Sequence, residues 1–215
     1  LATNLGEILT LAAGLALGLP LPLTAIMILW INLVTGGACT IPLGVEPRHQ
    51  DVLAHPPRDP KESVLTPGIL LRLSILASVM AAGTILLYIY ELDTASLPHA
   101  RTIAFTTLAA FQWFQAFNAR SSRQSIFKVG LFSNRWVLLG VGAAVTLQIL
   151  AIYTGPGQMV FGTVPLGISD WLLIVFVTFS IWIADELLKL TGLYDRLGQA
   201  KRPRSLNHGV SKNGR

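Results

Sequence analysis

The sequence predicts an all-α integral membrane protein, a bundle of six transmembrane helices. Hydrophobic residues make up 52% of the chain and charged residues only 13%, whereas soluble domains carry about 25% charged residues. Six apolar segments can be distinguished, each close to the roughly 20 residues that span about 30 Å of hydrocarbon. The lipid bilayer is therefore the first expected partner.

The six predicted spans follow one another with short connections. Their ranges are 1–19, 21–45, 69–90, 102–119, 136–154 and 170–190. Pro20 and Pro22 separate the first two spans, and because proline cannot continue a helix, we expect a tight hairpin there. The longest connection, about two dozen residues, is too short for an independent core. Residues 1–190 are therefore predicted to form one membrane domain.

The two ends of the chain carry different signals. The chain begins with Leu1 rather than Met and lacks a basic stretch before its first apolar segment, so we expect a fragment without a cleavable signal peptide. The last residues, 191–215, are polar, basic and contain glycine. This composition predicts a disordered tail near anionic headgroups.

The basic residues predict the orientation of the spans. Every Lys and Arg except Arg101 lies in one of three regions, which are 46–72, 120–135 and 189–215. The positive-inside rule places these regions, and both visible ends of the chain, in the cytoplasm. The net charge of +5 is thus a topological signal, and we expect no nucleic-acid partner. The predicted location is the plasma (inner) membrane, with several crossings.

The second span contains polar residues where an apolar helix should have none. Residues 21–45 hold no charge, yet Asn32, Thr35 and Gly36 occupy the middle of the span. Lipid cannot satisfy an amide or a hydroxyl group, so these side chains must face protein, water or an ion. We therefore predict that this segment forms a functional surface within the membrane.

The first span carries a carboxylate deep within its apolar sequence. Glu7 is such a residue, and a charge at the bilayer centre costs about 2.5–3.5 kcal/mol on insertion scales. Asn4 lies three positions earlier and shares a helix face with it. Carboxylate, amide and hydroxyl oxygens suit a hard cation, and an unwound turn at Gly36 and Gly37 would add backbone carbonyls.

A plain packing role is the alternative, because Asn, Thr and Gly are ordinary contacts between membrane helices. Both interpretations stay open for Asn4, Thr35 and the glycines, whereas the functional one is favoured for Glu7. Gln112 is a weaker candidate, which packing also explains. The four histidines show no ligand spacing, so a transition-metal site is not predicted.

Charged residues near the span ends are interpreted as solvated. Asp185 and Glu186 lie one turn before Lys189, and Arg72 lies just inside the third span. Long side chains at such positions reach the interface by snorkelling. We therefore expect these charges to face water or headgroups.

Several motifs, taken together, resemble one family, the type II P-type cation-transporting ATPases of the calcium-pump-like branch. The first two spans carry the resemblance in the stretches Asn4–Glu7, Ile28–Thr35 and Leu43–Pro47. These stretches look like membrane helices five and six of such pumps. Further matches follow in the same order along the chain, at Pro56–Glu62, Phe117–Ser121, Phe161–Leu166 and Asp185–Lys189.

The resemblance implies a mechanism that this chain cannot perform alone. In the family, a cytoplasmic headpiece uses ATP and Mg²⁺ to form an aspartyl-phosphate, and the membrane helices alternate ion access. The sequence contains neither Asp-Lys-Thr-Gly nor Thr-Gly-Glu. It resembles the C-terminal membrane domain, helices five to ten. The implied partners are the transported cation, the first four membrane helices and the headpiece.

The resemblance also implies a set of cation ligands. The matching positions on helices five and six are Asn4, Glu7, Asn32 and Thr35. Gly36 stands where calcium pumps usually carry an Asp, and Gln112 stands where a Glu serves one of two calcium sites. Affinity for a divalent cation depends on ligand charge. We therefore expect weak Ca²⁺ binding and transport of another ion, such as a monovalent ion or a proton, or else impaired transport.

Two other classes of function remain open at this stage. The chain is interpreted alternatively as a free-standing six-span channel or secondary transporter that uses Glu7 without ATP, or as a non-transporting membrane subunit. The DNA upstream of Leu1 separates these readings. An in-frame headpiece indicates the pump, whereas a nearby start codon favours the alternatives.

Overall fold

The computed structural model describes residues 1–45, 65–121, 130 and 132–191, and within these ranges it is helical without strands. The helices, in chain order, are α1 (Ala2–Ala16), α2 (Ala25–Trp30), α3 (Gly36–Thr40), α4 (Pro67–Thr94), α5 (Leu97–Asn118), α6 (Arg135–Tyr153), α7 (Gly155–Phe161) and α8 (Ile168–Thr191). A π turn joins α2 to α3, and a 3₁₀ turn follows α3, so the chain is helical from Ala25 to Val45.

The all-helical membrane class is confirmed, although the count of six spans is not reproduced. Four helical segments are long and apolar enough to cross a bilayer, namely Ala25–Val45, α4, α6 and α8. Helix α1 has only 15 residues, fewer than the roughly 20 that a crossing needs. The short helix α7 was not predicted. Thr154 caps it by accepting a hydrogen bond from the Gly157 N–H at 3.3 Å.

Helix α5 is long enough to cross but is less apolar on average than the other long helices. It packs against α1, α3, α4, α6 and α8, and its residues Thr102, Thr106 and Thr107 are fully buried. A helix enclosed by other helices does not have to be apolar towards lipid, and small hydroxyl residues allow close approach. The enclosed position of α5 explains why its hydropathy is too low for it to count among the four apolar spans, although it is long enough.

Aromatic packing fixes α7 against the middle of the bundle. The Phe161 ring lies 5.6 Å from the ring of Phe105 on α5 and 4.9 Å from that of Trp30 on α2, measured between centroids. Such aromatic pairs add about 0.5–1.5 kcal/mol beyond the area they bury. This contact ties the second helical segment to the centre of the bundle next to α5.

The connection between α1 and α2 is tight, as the prolines predict. Gly18 adopts the left-handed conformation with φ of +68°, which glycine tolerates without strain. The Tyr88 hydroxyl donates a hydrogen bond of 2.8 Å to the Pro20 carbonyl. Thr24 then caps α2 by accepting a hydrogen bond from the Met27 N–H. The turn is therefore held by α4 as well as by its own residues.

The interpretation of Asp185 as a solvated residue was wrong. Its side chain is fully buried, it accepts a hydrogen bond of 2.8 Å from Arg72 Nε, and it lies 2.9 Å from Lys189 Nζ. Arg72 comes from α4, so the two helices meet through charges and neither charge has to reach water. The sequence alone could not supply this partner, because Arg72 and Asp185 are 113 residues apart.

Some predictions concern residues outside the described ranges. They include the basic connection that contains Pro56–Glu62, most of the connection after α5, and residues 192–215 of the tail. The division into a membrane domain and a disordered tail therefore stays a prediction.

Candidate cation site

A buried carboxylate lies at the centre of the candidate site. Glu7, in the middle of α1, is 4% exposed. Asn32 Nδ2 donates a hydrogen bond of 2.6 Å to Glu7 Oε2, and Gln112 Nε2 donates one of 3.4 Å to Glu7 Oε1. The two oxygens of the carboxylate thus contact amides from two other helical segments. Glu7 is the point at which α1, the segment after α2, and α5 meet.

Glu7 is brought into the bundle by the close packing of α1 along α4. A Cβ atom built on the neighbouring Gly6 would lie 3.1 Å from Met80 Cβ, so a glycine at this position allows the two helices to approach. Helix α1 makes its largest contact with α4. This packing fixes the height of Glu7 relative to the second helical segment.

The helix after α2 is widened at the candidate site. Residues Ile31–Thr35 form a π turn, and the Gly36 N–H donates to the Ile31 carbonyl five residues earlier. The expected unwinding at the glycine pair was wrong, because Gly36 has helical dihedral angles of −64° and −43°. The irregularity lies one turn earlier, and π turns are frequent at functional sites.

The π turn depends on the glycine that follows it. A Cβ atom at Gly36 would lie 2.9 Å from the Ile31 carbonyl oxygen and 3.4 Å from Gln112 Oε1. The first distance is too short for an ordinary contact, so any side chain would force the turn to move. The second distance means that a side chain here would point at the Gln112 amide.

Thr35 completes a continuous chain of polar contacts. Its hydroxyl is fully buried and lies 2.9 Å from the Ile31 carbonyl oxygen and 3.2 Å from Gln112 Oε1. Contacts therefore run from Thr35 to Gln112, from Gln112 to Glu7, and from Glu7 to Asn32. Three helical segments are linked through one network, in which Glu7, Thr35 and Gln112 are buried and Asn32 is exposed.

Comparison with known proteins identifies the family. The family model described as "Cation transporting ATPase, C-terminus" matches residues 20–191. The chain belongs to this family. It is 37% identical over 192 residues to the "Probable cation-transporting ATPase F" of Mycobacterium tuberculosis, covering 87% of this chain and 21% of that protein.

A second group of relatives of this cation-ATPase domain consists of proteins named calcium-transporting ATPases. The chain is 35% identical over 190 residues to the "Calcium-transporting ATPase type 2C member 1" of Homo sapiens, covering 88% of this chain and 21% of that protein. The chain thus spans about a fifth of the length of the curated relatives it matches. The resemblance to P-type cation ATPases of the calcium-pump-like branch is confirmed.

The structure of this cation-ATPase domain brings together four of the candidate residues and leaves one apart. Glu7, Asn32, Thr35 and Gln112 form the network described above. Asn4 is exposed, and its Oδ1 accepts a hydrogen bond of 3.2 Å from Thr3 Oγ1. The assignment of all five residues to a cation site stays a prediction.

Gln112 occupies a more central position than the sequence suggested. It contacts both Glu7 and Thr35, whereas Gln115, one turn away, accepts a hydrogen bond from Asn118 of the same helix. The family resemblance singled out Gln112 alone, and the packing of α5 against α1 and α3 separates its position from that of Gln115.

The oxygen atoms of this network match the chemistry of a hard cation. Glu7 offers two carboxylate oxygens, Thr35 a hydroxyl oxygen, and Asn32 and Gln112 one amide oxygen each. In the structure the amide N–H groups of Asn32 and Gln112 face Glu7. Binding a cation beside Glu7 would require both amides to rotate and present their oxygens instead. The network holds one carboxylate, and its formal charge of about −1 is low for a divalent ion.

Proposed function

We propose that this chain is the membrane ion-pathway part of an ATP-driven cation pump and that its first two helical segments contribute part of the cation site. The observation that carries the proposal is the buried Glu7 carboxylate, held between the amides of Asn32 and Gln112. A buried carboxylate within a membrane segment is expensive unless it has a functional partner. Membership of the cation-ATPase family supplies the pumping context.

The exposed face of α1 supports a larger assembly. Leu1, Ile8 and Leu15 are 78%, 61% and 64% exposed, and they recur at a spacing of seven residues on one face. Asn4 is exposed on the same stripe of the helix. We infer that the first four membrane helices of the pump pack on this face, where Asn4 would then join the site.

ATP and Mg²⁺ belong, in this proposal, to a cytoplasmic headpiece outside the chain. The chain's own contribution is to bind the ion, to exclude lipid from it and to hold Glu7 in place. In this proposal the domain lies in the plasma (inner) membrane, and both visible ends are on its cytoplasmic side. The Arg72, Asp185 and Lys189 network supports this, since it marks one end of the bundle, while Arg101 lies at the other.

The identity of the ion follows from charge. The human relative is named a calcium-transporting ATPase, but Gly36 and Gln112 supply no carboxylate here. Because hard divalent ions are bound more tightly by sites with more charge, we infer a weak Ca²⁺ site and transport of an ion of lower charge. Impaired transport is the alternative outcome for the same site.

An uptake experiment separates this proposal from a free-standing channel or secondary transporter. The complete pump, expressed from the genomic region that encodes this chain, is placed in sealed membrane vesicles. Uptake of Ca²⁺, Na⁺, K⁺ and protons is followed with and without ATP. The proposal expects cation movement that requires ATP. Movement driven by an ion gradient alone would support the transporter, and no movement of any ion would support a non-transporting subunit.

A further inference from the structure

A second cluster of ligand-type side chains lies at the other end of the bundle from Arg72. Glu91 is near the end of α4, His99 near the start of α5, and Asp170 near the start of α8. His99 Nε2 lies 3.4 Å from Glu91 Oε2 and 3.5 Å from Asp170 Oδ2. One nitrogen and two carboxylate oxygens thus lie within 4.8 Å of one another.

The two separations from His99 Nε2 are close to the edge of a metal coordination shell, and the Glu91 and Asp170 oxygens lie within 4.8 Å of each other. Ligand atoms about 2.1 Å from a tetrahedral metal ion lie about 3.4 Å from one another. A hydrogen bond between an imidazole and a carboxylate is shorter, at about 2.7–2.9 Å when charged. The distances within the cluster therefore fit an ion held between its members better than they fit direct hydrogen bonds.

The burial of Glu91 is a separate observation that points to a ligand. The residue is 6% exposed, and among the described residues His99 is the one ion-pair partner of its carboxylate. Asp170 lies in the same cluster with its side chain 14% exposed. Two carboxylates beside a single imidazole bring together negative charge that needs a cation to offset it.

The surroundings of the cluster suit a held metal ion. Asp170 Oδ2 accepts a hydrogen bond of 2.7 Å from the Gly167 N–H, which fixes the carboxylate as outer-shell partners do for metal ligands. The His99 side chain is 21% exposed, so the cluster has an open path to its surroundings. Neighbouring Arg101 donates to the Leu21 carbonyl at 2.9 Å and is thus directed to the α1–α2 connection.

We propose that Glu91, His99 and Asp170 bind a divalent transition-metal ion of the Zn²⁺ class, which ties the α4–α5 connection to the start of α8. An imidazole with two carboxylates is a donor set for such ions, and water would take the fourth position. Ca²⁺ prefers six to eight oxygen ligands, which these three residues do not provide. The site is distinct from the Glu7 network.

The test is metal binding by the complete protein, purified without a polyhistidine tag. Zn²⁺ affinity is measured by competition with a chromophoric chelator, and Co²⁺ serves as a spectroscopic probe of coordination geometry. The variants are Glu91→Gln and His99→Ala. The matched controls are Asp93→Asn, an exposed acid two residues from Glu91, and His208→Ala, a histidine of the tail.

The proposal expects one Zn²⁺ per chain and a tetrahedral Co²⁺ absorption spectrum. Each ligand variant should weaken Zn²⁺ binding by at least about tenfold, since even the loss of an outer-shell partner has that effect, and the controls should leave it unchanged. A wild-type protein that binds no Zn²⁺, or variants that retain wild-type affinity, would overturn the proposal. If Glu91→Gln fails to fold, the His99→Ala titration decides alone, because His99 is partly exposed.

Discussion

Arg72 Nη2 lies 2.6 Å from Asp185 Oδ1, and this ion pair joins α4 to α8 at one end of the bundle. Asp185 is fully buried, while the Arg72 side chain is 16% exposed. Arg72 Nη2 also lies 3.5 Å from the Asn118 carbonyl of α5. Three helices therefore converge on one guanidinium group.

Removal of Arg72 should strongly destabilise the helix bundle. Arg72→Ala leaves the buried Asp185 with Lys189 as its remaining basic partner, so the cost should approach, but stay below, the about 3–5 kcal/mol of a buried charge left wholly unpaired. The measurement is the temperature at which half of the detergent-solubilised protein stays monodisperse. Glu186→Gln is the control, since its carboxylate is 20% exposed and lies 3.6 Å from Lys189 Nζ, and Asp185 keeps both of its basic partners in that variant. Equal effects in the two variants would contradict the assigned role.

The Tyr88 hydroxyl group should stabilise the tight connection between the first two helical segments. Tyr88 is fully buried and donates to the Pro20 carbonyl, so Tyr88→Phe is expected to lose about 1 kcal/mol. Tyr90→Phe makes the same chemical change on a residue that is 57% exposed. Thermal stability of the two variants in detergent should fall only for Tyr88→Phe.

Gln112 should matter for the candidate site in a way that Gln115 does not. Gln112→Ala removes the partner of Glu7 Oε1 and one of the two acceptors of the Thr35 hydroxyl, whose other acceptor is the Ile31 carbonyl. Buried polar groups left unpaired cost about 1–3 kcal/mol, so this variant should be less stable and should need more cation for half-maximal ATP hydrolysis. Gln115→Ala serves as the control, because the side-chain hydrogen bond of Gln115 within the described residues is to Asn118 of its own helix. The reverse order of effects would remove Gln112 from the site.

A carboxylate at position 36 should raise calcium affinity. A side chain at Gly36 points towards Gln112, and its Cβ atom, 2.9 Å from the Ile31 carbonyl oxygen, requires the π turn to shift. Gly36→Asp adds negative charge to the Glu7 network, and more ligand charge strengthens calcium binding. We expect the Ca²⁺ concentration for half-maximal phosphorylation of the complete pump to fall at least about tenfold, equivalent to about 1.4 kcal/mol.

Gly37→Asp is the matched control for that change. A Cβ atom at Gly37 meets nothing within 4 Å, so the same charge is added outside the network and should leave Ca²⁺ dependence unaltered. Micromolar Ca²⁺ activation of the unmodified pump would show that the argument from ligand charge is wrong.

The lengths of the apolar segments and the proline positions were enough to predict the long helices and the tight connection after α1, whereas the short helix α7 was not predicted. Length and composition were less informative for α5, because a helix enclosed by others can carry threonines and glutamines. The π turn at Ile31–Thr35 could not be predicted either. It depends on a hydrogen bond from Gly36 and on space beside Gln112, and both require the packed structure.

Within the candidate site, the residues on the hairpin could be predicted and the contacts across the bundle could not. Glu7 and Asn32 stood out because a carboxylate and an amide are unusual within membrane segments. The place of Gln112 depends on α5, which is separated from Glu7 by 105 residues. The same limitation hid the meeting of His99 with Glu91 and Asp170, since no short-range spacing connects residues from three helices.

The most direct test of the cation site is the effect of Glu7→Gln on cation activation of the complete pump. The substitution keeps the size of the side chain and removes the one charge of the network, and Glu186→Gln removes a charge at a distance. Cation-dependent phosphoenzyme formation is titrated in both variants. We predict that Glu7→Gln raises the half-maximal cation concentration at least about tenfold, about 1.4 kcal/mol, while Glu186→Gln leaves it unchanged. Wild-type cation dependence in a folded Glu7→Gln pump would contradict the account.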